Sequence, residues 1–317
     1  MTIKHLVLSG GGPVMFMAMG ALQKLEQEQF WKREDIKGIY GTSAGAFVAV
    51  VVCLHYDWET VVKYFVERPW HEAFPITPAT LIDAYGKKGV YDRSTMERIF
   101  KPLFDAKDIS LSVTLKEFYE LTGVCLHMYT FELHEFETVD MCHTTHPDVQ
   151  LLDAVYMSCA LPIIFSPLIV GDKCYLDGGI RTNYPLNMCI ETEEDIDTDE
   201  ILGFKNVYSS GQQESEEKNH ITDESSILDY VHLFLRKLVR NVNTENIQQN
   251  IKYEVTYQAK RLTMEYLQET LSSQDLRREL LHTGIESAIT FLAQTKGVVE
   301  ETTDANDISS KQSSRTG

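Results

Sequence analysis

The stretch Gly41-Thr42-Ser43-Ala44-Gly45 has the G-x-S-x-G form of a tight strand-to-helix turn that lifts a serine hydroxyl clear of the backbone. Such a serine can attack an acyl carbonyl, provided that amide donors meet the charge building on the carbonyl oxygen. Gly41 and Gly45 permit the cramped turn, and the N-terminus of the following helix favours negative charge. The same five residues also fit a plain glycine-rich turn in which Ser43 caps a helix. Three consecutive glycines, Gly10-Gly11-Gly12, can leave N–H groups facing a neighbouring site, as an oxyanion hole requires. A phosphate cradle is the rival reading of that triplet. It fits poorly, because G-x-G-x-x-G would need glycine at Met15 and the chain has no G-K-[ST].

A nucleophilic serine needs a base. An α/β-hydrolase supplies Ser, Asp or Glu, and His in that chain order, with several strands before the elbow. Here Ser43 follows a single strand–helix unit. The histidines beyond Asp177 are His220 in a polar loop, His232 in a predicted helix and His282 near the end, none in a strand-end loop. Asp177, in Leu176-Asp177-Gly178-Gly179, ends a predicted strand, and the glycines after it let another loop approach. Taken alone, an aspartate so placed reads as an Asx-turn residue.

The elements that must hold these residues are legible first at the N-terminus. His5 to Ser9 is a short apolar strand, Gly10 to Pro13 a turn, and Val14 to Glu28 a helix with apolar residues near 3.6 spacing. Lys37 to Tyr40 is a second strand and Ala46 to His55 a second helix, which begins a parallel α/β sheet. In such a sheet both turns open on the carboxyl edge. Further on, Trp58 to Glu67 and Arg93 to Phe104 read as helices, Arg68 to Pro78 as a loop, and Val113 to Tyr119 and Val124 to Phe136 as strand-like. Leu151 to Cys159 reads as a helix, Lys173 to Leu176 and Ile201 to Tyr208 as strands, and Ile227 to about Thr295 as helical. Trp70 and Phe74 fit either the lining of an acyl pocket or ordinary packing, which the sequence does not separate.

Taken together, the motifs resemble the patatin-like phospholipase family. That family joins a glycine-rich oxyanion loop, a G-x-S-x-G serine and a later D-G-[GA] aspartate, in the order seen at Gly10–Gly12, Gly41–Gly45 and Asp177–Gly179. Met157-Ser158-Cys159-Ala160-Leu161-Pro162 with Phe165 and Pro167, Asn183-Tyr184-Pro185 and Gly89-Val90-Tyr91-Asp92 are similar to further landmarks of the family. The chain departs from the family's G-G-G-x-[KR]-G, with Pro13, then Val14 for the cation and Met15 for the last glycine. The resemblance implies a three-layer α/β/α fold around a mostly parallel sheet, with a helical C-terminal part. It implies a lipid acyl hydrolase of phospholipase A or lysophospholipase type, in which Ser43 and Asp177 form a catalytic dyad and Gly10, Gly11 and Gly12 the oxyanion loop. An acyltransferase or general esterase using the same dyad, and a non-catalytic lipid-binding protein, are the alternatives.

Composition narrows the rest. Asp and Glu number 47 against 29 Lys and Arg, a net charge of −18, and neither half of the chain is basic, so nucleic acid is not an expected partner. The expected partner is lipid at a membrane or micelle surface. Six cysteines lie scattered without C-x-x-C or zinc spacing, which reads as buried thiols in a reducing compartment. No metal and no organic cofactor is expected; the acidic run Glu191 to Glu200 lacks the EF-hand order. The longest apolar run, Ala44 to Leu54, is too short to span a bilayer, which suggests a cytoplasmic protein with at most peripheral membrane contact. A stripe from Ile227 to Val242 beside Arg236, Lys237 and Arg240 reads as a core-packing face that could also meet lipid. The expected organisation is a catalytic core over 1–210, a helical part over 211–300 packed on it, and a disordered tail over 301–317.

Overall fold

In the computed structural model the chain is described over residues 2–75, 77–192, 196–208, 249–260 and 262–313, with Tyr230, Val231, Leu233, Phe234 and Lys237. It opens with two strand–turn–helix units, β1 (His5–Leu8) with α1 (Met15–Gln27) and β2 (Gly38–Thr42) with α2 (Ala44–Cys53). Every residue of α2 is buried. Its three consecutive valines are weak helix formers, and enclosure on all sides overrides that preference. The short helices α3 (Trp58–Val62) and α4 (Trp70–Ala73) follow, then α5 (Pro78–Lys87), β3 (Gly89–Tyr91), α6 (Arg93–Asp105) and α7 (Leu115–Thr122). A hairpin of β4 (Cys125–Glu132) and β5 (Glu137–Met141) leads to α8 (Leu151–Cys159), then β6 (Ile163–Phe165), β7 (Leu168–Val170), β8 (Lys173–Asp177) and α9 (Leu186–Thr192). β9 (Ile201–Val207), β10 (Tyr253–Gln258) and the helices Met264–Ser272 and Gln274–Ser313 complete the described chain.

The main sheet runs β10-β9-β1-β2-β4-β8-β7, with β5 also on β4; β3 and β6 pair apart from it. From β10 to β4 every pairing is parallel, whereas β5 and β8 run antiparallel to β4. The register along β4 determines what meets at its end. β5 covers Met128 to Glu132, while β2 covers Cys125 to Tyr129 and β8 covers Thr130 to Glu132. A strand residue has only two hydrogen-bonding edges, so β2 and β8 share the edge that β5 leaves free, and they run toward each other. Thr42 faces Tyr129 and Asp177 faces Thr130. The two strands therefore end nose to nose.

Strand residues alternate between the faces: Leu6 and Leu8 join the larger apolar cluster with α1, α2, α6 and α8, while Val7 joins a smaller one with Tyr40, Tyr129 and Leu186 of α9. This gives three layers, helix on sheet on helix. The helix Gln274–Ser313 lies along α1, where a side chain at Gly20 would strike the Leu281 carbonyl and one at Gly284 the Met17 carbonyl. Buried Arg277 ties the same helix down by donating to the carbonyls of Val66, Arg68 and Thr270.

Four expectations change. Val113 to Tyr119 is not a strand: Thr114 and Glu117 form a capping box that starts α7. The stretch read as helical from Ile227 to Thr295 contains β10, whose Tyr253, Val255 and Tyr257 are buried while the residues between them are not, the period of a strand. The loop Arg68 to Pro78 holds α4, and Trp70 is buried against Phe65, its Nε1 donating to the Phe65 carbonyl, which makes it core. The tail expected to be disordered is helical through Ser313; no glycine or proline lies between Val298 and Thr316 to interrupt it.

Candidate active site

Ser43 stands between β2 and α2 with φ 53° and ψ −120°. A non-glycine residue in that region is strained, at a cost of about 1–3 kcal/mol, and is held only where its surroundings enforce it. The enforcement is visible. The Ser43 amide donates to Ser158 Oγ at 2.9 Å, and Ser158 Oγ donates in turn to the Tyr129 carbonyl at 2.6 Å. A side chain at Gly45 would run into the Leu8 carbonyl of β1, and one at Gly41 would lie 2.6 Å from the Ala46 amide nitrogen. Both elbow glycines are thus demanded by close packing.

The turn aims Ser43 Oγ at Asp177, donating to Oδ2 at 2.6 Å. The other carboxylate oxygen accepts from the Gly179 amide at 2.7 Å, and the Asp177 amide donates to the Ala160 carbonyl at 3.0 Å. Asp177 is only 5% exposed. Burial lifts its carboxyl to about 6, against the opposing pull of the Ser43 hydroxyl and the Gly179 amide. A carboxylate so raised is a better proton acceptor than an ordinary one, and water has little access to it. Cys159, at the end of α8, also contacts Ser43, and burial keeps its thiol protonated.

The glycine loop lies beside this pair. A Cβ at Gly10 would be 3.0 Å from Ser43 Cβ. Of the three amides, that of Gly10 is already committed to the Asn183 carbonyl at 2.9 Å, and the Gly10 carbonyl accepts from Asn206 Nδ2 at 2.7 Å and Asn183 Nδ2 at 3.3 Å. Gly11 and Gly12 take left-handed φ of 148° and 58°, and among the described residues neither amide has a hydrogen-bond partner. Pro13 then starts the short turn that feeds α1, and Val14, where the family carries a cation, is buried in the core.

His220 and His232 lie outside the described residues. His282 is exposed on the last helix and paired with Glu286 at 3.3 Å. In the acidic run, Glu193 to Asp195 lie outside the described residues, while Asp199 and Glu200 pair with Lys252 at 2.9 Å and Lys4 at 2.6 Å. The basic stripe falls largely outside the described residues too; within them, Tyr230 and Phe234 are exposed. Ser158, read from the sequence only as part of a family landmark, positions the Ser43 amide, and Asn206, which no motif singles out, positions the Gly10 carbonyl. All six cysteines are free thiols and all but Cys125 are buried, and the β4–β5 hairpin gathers Cys125 and Cys142 with His127. Among the described residues no helix is long and apolar enough to cross a membrane.

A family model for patatin-like phospholipases matches residues 6–190. Probable lipid hydrolase 463L of Invertebrate iridescent virus 6 is 29% identical over 194 residues, 59% of this chain and 63% of that protein. Uncharacterized protein R571 of Acanthamoeba polyphaga mimivirus is 26% identical over 206 residues, 64% of this chain and 65% of that one. The chain therefore spans less than two thirds of the length of these curated relatives. The crystal structure of VipD from Legionella pneumophila shares the fold with a TM-score of 0.53 at 17% identity, over 93% of this chain and 67% of that one. With the family model covering the glycine loop, the serine elbow and the aspartate in one continuous match, the chain belongs to the patatin-like phospholipase family.

Proposed function

We propose that the chain hydrolyses carboxylic esters of lipids, with phospholipid or lysophospholipid acyl chains as substrates. Membership of the family and the likeness to a probable lipid hydrolase support the lipid ester. The single observation that carries the mechanism is the 2.6 Å hydrogen bond from Ser43 Oγ to Asp177 Oδ2.

Ser43 Oγ attacks the acyl carbonyl as its proton passes to Asp177, and the amides of Gly11 and Gly12 receive the oxyanion. Collapse of the tetrahedral intermediate returns the proton to the leaving alkoxide and leaves an acyl-serine. Water, deprotonated by the same carboxylate, then releases the fatty acid. The raised carboxyl of Asp177 suits this exchange, because it is ionised at neutral pH yet closer to the operating range than a solvated aspartate.

A fluorophosphonate probe tests the reading. Labelling confined to Ser43, together with fatty-acid release from phosphatidylcholine vesicles, is the expected result. A folded chain that neither labels at Ser43 nor releases fatty acid overturns it, and transfer of the acyl group to an added alcohol in preference to water would redefine it as an acyltransferase.

A further inference from the structure

At the end of β4 remote from Ser43, the hairpin concentrates donor atoms that the proposed reaction does not use. Continuing the register Met128 to Met141 by one step sets His127 opposite Cys142, with Cys125 and Asp140 diagonal to the pair on the same face. Cys125 Sγ is 3.1 Å from His127 Nε2 and 3.3 Å from His143 Nδ1. Cys142 is in hydrogen-bond contact with both Cys125 and His127. The donor atoms of His127, Asp140 and Cys142 all lie within 4.8 Å of one another.

We propose that Cys125, His127, Cys142 and His143 bind a structural zinc ion, with Asp140 as the residue that orients His127. A two-sulfur, two-nitrogen donor set is the chemistry of tetrahedral zinc. In such a tetrahedron sulfur and nitrogen sit about 3.5 Å apart, a few tenths of an ångström beyond the two separations from Cys125 Sγ. Asp140 Oδ2 lies 2.7 Å from His127 Nδ1, which fixes that nitrogen as the protonated one and turns Nε2 toward the thiols. Both imidazoles are held flat: His127 stacks on Tyr40 with centroids 4.4 Å apart, and His143 on Tyr119 at 3.7 Å.

Four protein ligands leave no open position, so the ion is structural rather than catalytic. Cys125 is also five residues from Thr130, about 16 Å along the strand from the Ser43 end. Its effect is to clamp β5 and the turn after it onto β4. On binding, each thiol gives up its proton and the ion bridges the two strands.

The test uses the full chain purified without chelator. Elemental analysis should find one zinc per chain, and a mercurial reagent should release it. Replacement by cobalt(II) should give the thiolate-to-cobalt charge-transfer band of a tetrahedral site. Cys125→Ser with Cys142→Ser should abolish binding, and Asp140→Asn, which keeps all four ligands, should weaken it by about 10–100-fold. Ser43→Ala should leave the zinc at one per chain. A reduced wild-type chain that takes up neither zinc nor cobalt, cobalt bound without the thiolate band, zinc retained in the folded double cysteine variant, or Asp140→Asn binding as tightly as wild type would each overturn the proposal. The wild-type measurements decide the question even where the cysteine variant fails to fold.

Discussion

At its carboxyl end β4 meets a strained and partly open arrangement: a serine at φ 53°, a buried carboxylate, and two glycine amides without partners among the described residues. At its amino end the same strand carries stacked imidazoles, a His–Asp hydrogen bond and two thiols in mutual contact. The first end stores cost, with Ser43 contributing about 1–3 kcal/mol of backbone strain and Asp177 a desolvated charge. The second pairs its groups with one another across the hairpin, while Asp140 Oδ1 is buried with no hydrogen-bond partner among the described residues. A fold that holds strained chemistry at one end of a strand gains from a stiff anchor at the other, and the hairpin of β4 and β5 connects them.

The largest effect that could break this contrast is expected at the elbow. Gly45→Ala drives a methyl into the Leu8 carbonyl, and two backbone segments must part to admit it. A loss of about 3 kcal/mol of stability is expected in denaturant unfolding, with slower probe labelling of Ser43. An unchanged midpoint would mean that the elbow is looser than described.

The next effect has the opposite sign. Burial raises the Asp177 carboxyl from an ordinary 3.8 to about 6 in the folded chain. The folded state therefore holds a proton that the unfolded state has lost between those values, and above about pH 6 the ionised group lowers stability. Asp177→Asn should stabilise the protein at pH 7 by about 2 kcal/mol while removing activity. Destabilisation of similar size would show that the carboxylate is structural.

Two smaller predictions sharpen the account. Hydrolysis should fall about tenfold per pH unit below about 6 and level off above it, because only ionised Asp177 accepts the proton. A profile that bends near 7 and moves with a histidine substitution would point to another base. His282→Ala, at an exposed residue paired with Glu286, should change turnover by less than a factor of two.

The carboxyl end of β4 was legible in the sequence because each of its parts is a contiguous word: three glycines, a serine between glycines, an aspartate before glycines. Chain-local motifs carry their own geometry. What the words do not contain is pairing. That β8 descends antiparallel onto the same edge of β4 as β2, and so delivers Asp177 to Ser43, depends on register across 134 positions. The amino end was missed for the same reason: Cys125, His127 and Cys142 come together only across a hairpin, and no C-x-x-C loop announces them. Alternation along β10 and the T-x-x-E cap of α7 were present in the sequence, and a longer helical pattern and a β-branched valine obscured them.

The central claim is that Ser43 and Asp177 act as one unit, and the most direct measurement is phospholipid turnover by Ser43→Ala, Asp177→Asn and the double variant under identical conditions. Each single change should lower turnover by about 10³-fold or more, and the double variant should lose little beyond the worse single, because removing either partner already disables the pair. Losses that multiply in the double variant, or a folded single variant that keeps full activity, would contradict the dyad.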